Sequence, residues 1–150
     1  MSRADAGPPD AFETALRLLT LRAHSEAELR RKLARRGCPP DEIERALVRA
    51  RGLGGLDDGA FARSLAAQRA RTRGPALIAR ELAAKGVERA VAREALDGLP
   101  REAVVAAARR LAARGAESGA GRRVVAARLL RRGFPGDVIR EALGRDVEVE

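Results

Sequence analysis

Apolar positions along the chain recur three or four residues apart, and glycine and proline cut them into short stretches. The clearest stretch is residues 25–47, SEAELRRKLARRGCPPDEIERAL. Leu29 and Leu33 stand four apart and share one helical face. Ser25, with Glu28 three residues on, has the spacing of a capping box, in which each side chain satisfies a free amide at the helix start. Gly37 follows the basic pair Arg35 and Arg36, where a left-handed helix stop belongs. Pro39 and Pro40 restart the chain. Asp41 and Glu42 suit the positive end of a second helix with Ile43, Ala46 and Leu47 as its apolar stripe.

The pattern returns twice. The glycines matching Gly37 are Gly86 and Gly133, spaced 49 and 47 residues apart. Four residues before them stand Leu33, Leu82 and Leu129, and eight before stand Leu29, Ile78 and Val125. Ala46, Ala95 and Ala142 follow at nine, and Leu47, Leu96 and Leu143 at ten. Twelve before come Ser25, Gly74 and Gly121, each an acceptable helix N-cap. The residue preceding each glycine is basic: Arg36, Lys85, Arg132. Agreement at this many offsets marks an internal repeat, with a period in the range of helical arrays.

Taken in order, residues 1–11 read as a disordered start. A first repeat spans 12–54, with helices at about 12–23, 25–36 and 40–51, and with Leu16 and Leu19 on the buried face of the first. A second repeat spans 55–99, opening on a helix at 58–71 capped by Asp57. A third spans 100–144, with helices at 102–114 and 122–132 and a last one capped by Asp137. Residues 145–150 form an acidic tail. The expectation is an all-α, elongated tandem array of three three-helix repeats, with nine helices of about 11 residues. Gly86 and Gly133 are expected at positive φ.

Hydrophobic residues make up 45% of the chain but aromatic ones only 2%, so the core must be Leu, Ala, Val and Ile. No apolar run approaches the roughly 20 residues of a membrane helix, and the first ten residues lack the apolar centre of a signal peptide. A cytoplasmic protein is expected. Cys38 stands alone, which excludes an internal disulfide.

Lys and Arg number 30 against 21 Asp and Glu, and the excess is unevenly placed. Residues 101–133 hold nine arginines against Glu102 and Glu117; residues 60–86 hold five arginines and Lys85 against Glu81. Arginine grips carboxylates and phosphates with a planar fork. The candidate partner-binding residues are therefore Arg69, Arg71, Arg73, Arg80, Lys85, Arg122, Arg123, Arg128 and Arg132, chosen because few acids surround them.

Catalytic chemistry finds little support. One His and one Cys supply no nucleophile and base within a motif. His24 reads as a residue at a capped turn. Asp57 and Asp58 read as helix caps rather than ion ligands, and no cofactor or metal is expected. The glycine-rich residues 52–59, GLGGLDDG, lack the Lys-Ser/Thr pair of a phosphate-binding loop and read as a turn. A base-reading helix-turn-helix is also disfavoured. The helices after the glycine stops open on Asp41, Glu42, Glu88 and Asp137, which repel phosphate, and the Asn and Gln that read bases are missing there. Three Phe and no Tyr or Trp offer little for base stacking.

The runs ALRLLTLRAHSEAELRRKLARRG, LDDGAFARSLAAQR, GPALIARELAAKGV and LLRRGFPGDVIREAL, in that order across residues 15–143, resemble the RecX family of recombination regulators. That resemblance implies a tandem of three-helix repeats without catalytic residues. It also implies a protein that lodges along RecA filaments on single-stranded DNA and opposes their growth and ATP-driven activity. A monomer is expected, and the arginine faces allow non-specific phosphate contact with DNA. The other reading the residues leave open is a basic helical DNA-binding protein that acts without RecA.

Overall fold

The computed structural model describes residues 7–144, and these are all-α. In chain order the helices are α1 (Ala11–Leu21), α2 (Glu26–Arg35), α3 (Pro40–Gly52), α4 (Asp58–Arg69), α5 (Pro75–Ala84), α6 (Arg89–Asp97), α7 (Arg101–Glu117), α8 (Arg122–Arg131) and α9 (Gly136–Leu143). They form the expected tandem of helix triplets, and no strand occurs among the described residues. The anticipated acidic tail, 145–150, and residues 1–6 of the anticipated disordered start lie outside the described residues.

The end of that start belongs to α1 and its cap. Asp10 caps α1 by accepting the Glu13 amide at 2.8 Å, and Ala11 is buried. The expected inward face of α1 holds at Leu19, which packs partly buried against the core, and fails at Leu16. Ala11, Thr14, Ala15 and Leu18 are buried, whereas Leu16 is 42% exposed, because the stripe that meets α3 is phased on Ala15 and Leu18.

The chain divides into two compact units that do not follow the repeat boundaries. The first holds the residues up to Phe61 together with the turn Lys85–Val87. Its core is Ala15, Leu18, Leu29, Leu33, Ile43, Leu47 and their neighbours, where α1, α2 and α3 pack on one another. The capping box is present: Ser25 Oγ accepts the Glu28 amide and Glu28 Oε1 accepts the Ser25 amide, both at 3.1 Å. The Asp pair divides its work. Asp57 caps its own helix through the Ala60 amide at 3.0 Å, whereas Asp58 accepts the amide of Glu26 at 2.9 Å and so caps α2 instead. Of the glycine-rich 52–59 stretch, residues 53–57 form the turn, with Gly54 at φ 81°, whereas Gly52 ends α3 and Asp58 and Gly59 begin α4.

The second unit holds residues 62–84 and those from Glu88 onward. Its main cluster joins Val104, Val105, Ala108, Val125, Leu129, Phe134 and Ile139 of the last triplet. Two expectations fail here. Helix α7 runs on to Glu117 instead of stopping at Arg114. Gly115 sits inside it because Val125 of α8 lies against that position, where a Cβ would stand 2.8 Å from a Val125 methyl. Asp137 does not cap α9, since Pro135 holds the cap position. Its carboxylate accepts Arg101 Nη1 at 2.8 Å instead, and Glu141 accepts the other prong of the same guanidinium at 2.8 Å. The three helix stops are as expected, with Gly37, Gly86 and Gly133 at φ 87°, 76° and 93°.

Candidate partner-binding surface

The nine candidate residues fall into two groups, those paired with an acid and those in no ion pair with a described residue. Arg69 and Arg73 share one carboxylate. Arg69 Nε lies 3.0 Å from both oxygens of Glu81, and Arg73 Nη1 donates to Oε2 at 3.0 Å. Lys85 belongs to the first unit and pairs with Glu28 at 3.4 Å. Glu28 also accepts Arg22 at 3.1 Å. Burial works against ionisation of Glu28. The hydrogen bonds from Arg22 and the Ser25 amide, with the charges of Lys85 and Arg22, outweigh it and lower the pKa to about 2. Three of the nine candidates are thus held by acids.

The other six, Arg71, Arg80, Arg122, Arg123, Arg128 and Arg132, are exposed residues of the second unit and form no ion pair with a described residue. Arg128 and Arg132 stand one helical turn apart at the end of α8. Together with Arg114 in the last turns of α7 they rim a cleft of about 210 Å³ floored by Leu111, Val125 and Leu129. Among the described residues no carboxylate lines it. Arg132 is steadied at the rim, where its Nη1 donates to the Thr72 carbonyl at 3.0 Å. Arg110, one turn before Arg114, reaches the neighbouring Arg71 carbonyl at 3.3 Å. Cationic side chains around an apolar floor, with no counter-ion among the described residues, are suited to an external anion, either carboxylate or phosphate. Arg114 was not singled out from sequence. Its signal was the three-residue step from Leu111, which carries meaning only once α7 is seen to continue past it.

The remaining candidate chemistry is structural. His24 is buried; its Nδ1 donates to the Arg22 carbonyl at 3.0 Å, which leaves Nε2 to accept from Lys32 Nζ at 2.8 Å. Burial lowers its pKa, and the charges of Arg22 and Lys32 add to the effect. Cys38 is a buried free thiol, raised in pKa first by burial. Among the described residues no group of three His, Cys, Asp or Glu is placed to hold a metal, and no helix is long and apolar enough to cross a membrane.

Comparison with known proteins supplies further observations. Residues 11–49 match the model of the RecX first three-helix domain, and residues 57–96 match that of the second. The chain is 39% identical over 148 residues to the regulatory protein RecX of Halorhodospira halophila, covering 95% of this chain and 91% of that protein. It is 43% identical over 96 residues to the RecX of Syntrophotalea carbinolica, a match that spans only 62% of each chain. The crystal structure of RecX from Lactobacillus salivarius superposes with a TM-score of 0.80 at 23% identity, covering 88% of this chain and 91% of that one, a likeness of fold.

Proposed function

The chain belongs to the RecX family of regulatory proteins, and we propose that it works by binding RecA recombinase filaments and limiting their assembly, ATP hydrolysis and strand exchange. The relatives are named regulatory proteins, which fits a role exerted by binding rather than by catalysis. The observation that carries the proposal for this chain is the cleft rimmed by Arg114, Arg128 and Arg132, which no carboxylate of the described residues lines. A RecA filament on DNA offers both carboxylates and phosphates, and an arginine rim can grip either. Free arginines should also quicken the approach to such a partner, in a way that weakens with salt. The protein acts in the cytoplasm, as a monomer and without a cofactor.

The test is RecA's DNA-dependent ATP hydrolysis with increasing amounts of wild type and of the variant Arg114→Glu/Arg128→Glu/Arg132→Glu. Wild type should suppress hydrolysis, and the folded variant should lose most of that effect. Binding to bare single-stranded DNA at matched salt separates the second reading. If suppression follows bare-DNA affinity in every variant, the chain acts through DNA alone. A variant of full potency would remove the cleft from the binding surface.

A further inference from the structure

A helix start draws negative charge, because its first amides lack intrahelical partners and the helix dipole is positive there. Most of the described helices meet that demand with their own acids. Helices α1, α2, α3, α4, α7 and α9 carry an Asp or Glu in the first turn, and α6 has Glu88 at its cap. Helix α5 has no acid there, but the amides of Gly74 and Ala76 donate to the carbonyls of Arg132 and Gly133 at 2.8 and 3.1 Å. Helix α8 has neither. Its cap is Gly121, without a side-chain bond, and its first two residues are Arg122 and Arg123. The amides of Arg122, Arg123 and Val124 donate to nothing among the described residues.

Both arginines are exposed, and neither forms an ion pair with a described residue. Two cations thus stand where the helix dipole disfavours them. A residue choice that breaks a local rule points to something outside the helix that compensates. The chain returns to this place at the end of α9. Gly144 follows that helix at φ 97°, and its amide donates to the Arg140 carbonyl at 2.8 Å. A Cβ on Gly144 would stand 2.9 Å from Arg122 Nη2, so the backbone leaves α9 against the Arg122 guanidinium. The sequence that continues from it, residues 145–150, is RDVEVE, three acids against one arginine. A fully stretched chain gains about 3.5 Å per residue, so Asp146 can reach about 7 Å from Gly144 and Glu148 about 14 Å. Acids two apart share one side of an extended segment.

We propose that the acids of the 145–150 tail dock on the start of α8, where they pair with Arg122 and Arg123 and accept hydrogen bonds from its first amides. Carboxylates bond guanidiniums strongly, and a carboxylate at a helix start is favourable in its own right. The tether holds the acids at high effective concentration beside the two arginines. The consequence for function rests on the proposal that arginines of the second unit meet a RecA filament. The tail then covers two of them, and an anionic partner has to displace it. The tail is a built-in competitor, and salt weakens its hold as it weakens the partner's.

The experiment compares backbone-amide NMR spectra of the full chain with those of the neutral-tail variant Asp146→Asn/Glu148→Gln/Glu150→Gln. Neutralising the tail should shift the amide signals of Arg122, Arg123 and Val124, which it does not adjoin in sequence. The same change made in Arg122→Gln/Arg123→Gln should move them far less, and that variant should in turn shift the signals of Asp146 and Glu148. Signals at the start of α8 that ignore the tail, or that respond equally without the two arginines, would overturn the proposal. Stopped-flow mixing with RecA filaments at low salt reads the consequence. The neutral tail should speed association roughly two- to fivefold, and Arg122→Gln/Arg123→Gln should remove that gain. Unchanged rates in the neutral-tail variant would overturn the competitor role. Amide shifts as expected in a chain that never binds RecA would overturn the RecA reading and support the tail contact.

Discussion

The hydroxyl of Ser25 donates to the backbone carbonyl of Lys85 at 2.5 Å while its oxygen accepts the amide of Glu28 at 3.1 Å. One fully buried side chain thus starts α2 and anchors a turn 60 residues away. Ser25→Ala removes both bonds at once. A lost N-cap costs about 1 kcal/mol and a buried carbonyl left unpaired about 1–2 more. Denaturant unfolding should show a loss of about 2–3 kcal/mol with an unchanged slope. A loss below about 0.5 kcal/mol would mean that water replaces the hydroxyl at both groups.

Gly37 and Gly86 allow backbone strain to be separated from packing. Both have positive φ, but a side chain on Gly37 meets open space, whereas one on Gly86 overlaps Ala27. Gly37→Ala should cost about 1 kcal/mol, from the left-handed backbone alone. Gly86→Ala carries the same strain plus crowding, about 1–3 kcal/mol more. Equal melting curves for the two variants would show that the Lys85–Val87 turn does not press on α2.

Stability should fall in two steps on acidification. His24 is held neutral below its ordinary value, so the folded state binds its proton less readily than the unfolded chain does. Its contribution is present above pH 6.5 and is lost as pH falls below that. Glu28 is depressed from 4.5 to about 2, so its contribution is present above pH 4.5 and is lost between there and pH 2. Glu28→Gln should lower stability at neutral pH and flatten the second step only. A variant that keeps the wild-type acid limb would place the titrating group elsewhere.

The repeat was legible because its signals are local. Glycine at positive φ, a capping box and leucines four apart each act within a few residues, and the structure has them where spacing put them. What could not be read depended on partners distant in sequence. The phase of α1 is set by α3, which leaves Leu16 exposed. Helix α7 passes Gly115 because Val125 packs there. Asp58 caps a helix 32 residues earlier, and Asp137 turns from its own helix to Arg101 across 36. The candidate surface suffered in the same way. Counting acids along the chain treated Glu81 as a lone minority charge, but its single carboxylate holds two of the chosen arginines. Arg114 entered the cleft only with the last turn of α7.

That Glu81 arrangement gives a test with opposite signs. Glu81→Gln frees the guanidiniums of Arg69 and Arg73, whose side chains are 33% and 40% exposed, and removes one negative charge from the second unit. Partly exposed ion pairs are worth about 0–1 kcal/mol each, so the stability cost should be small. If free positive charge on this unit steers the chain to its partner, association with RecA filaments should quicken in Glu81→Gln at low salt. Steering is screened over about 10 Å at 0.1 M salt, so the gain should fade as salt is raised. Arg128→Glu should do the reverse, slowing association while leaving the melting temperature nearly unchanged. Stopped-flow association rates across a salt series read both effects. Rates that respond to Arg128→Glu but not to Glu81→Gln would confine recognition to the Arg114, Arg128 and Arg132 cleft. Rates indifferent to both would show that charge on this unit plays no part in the encounter.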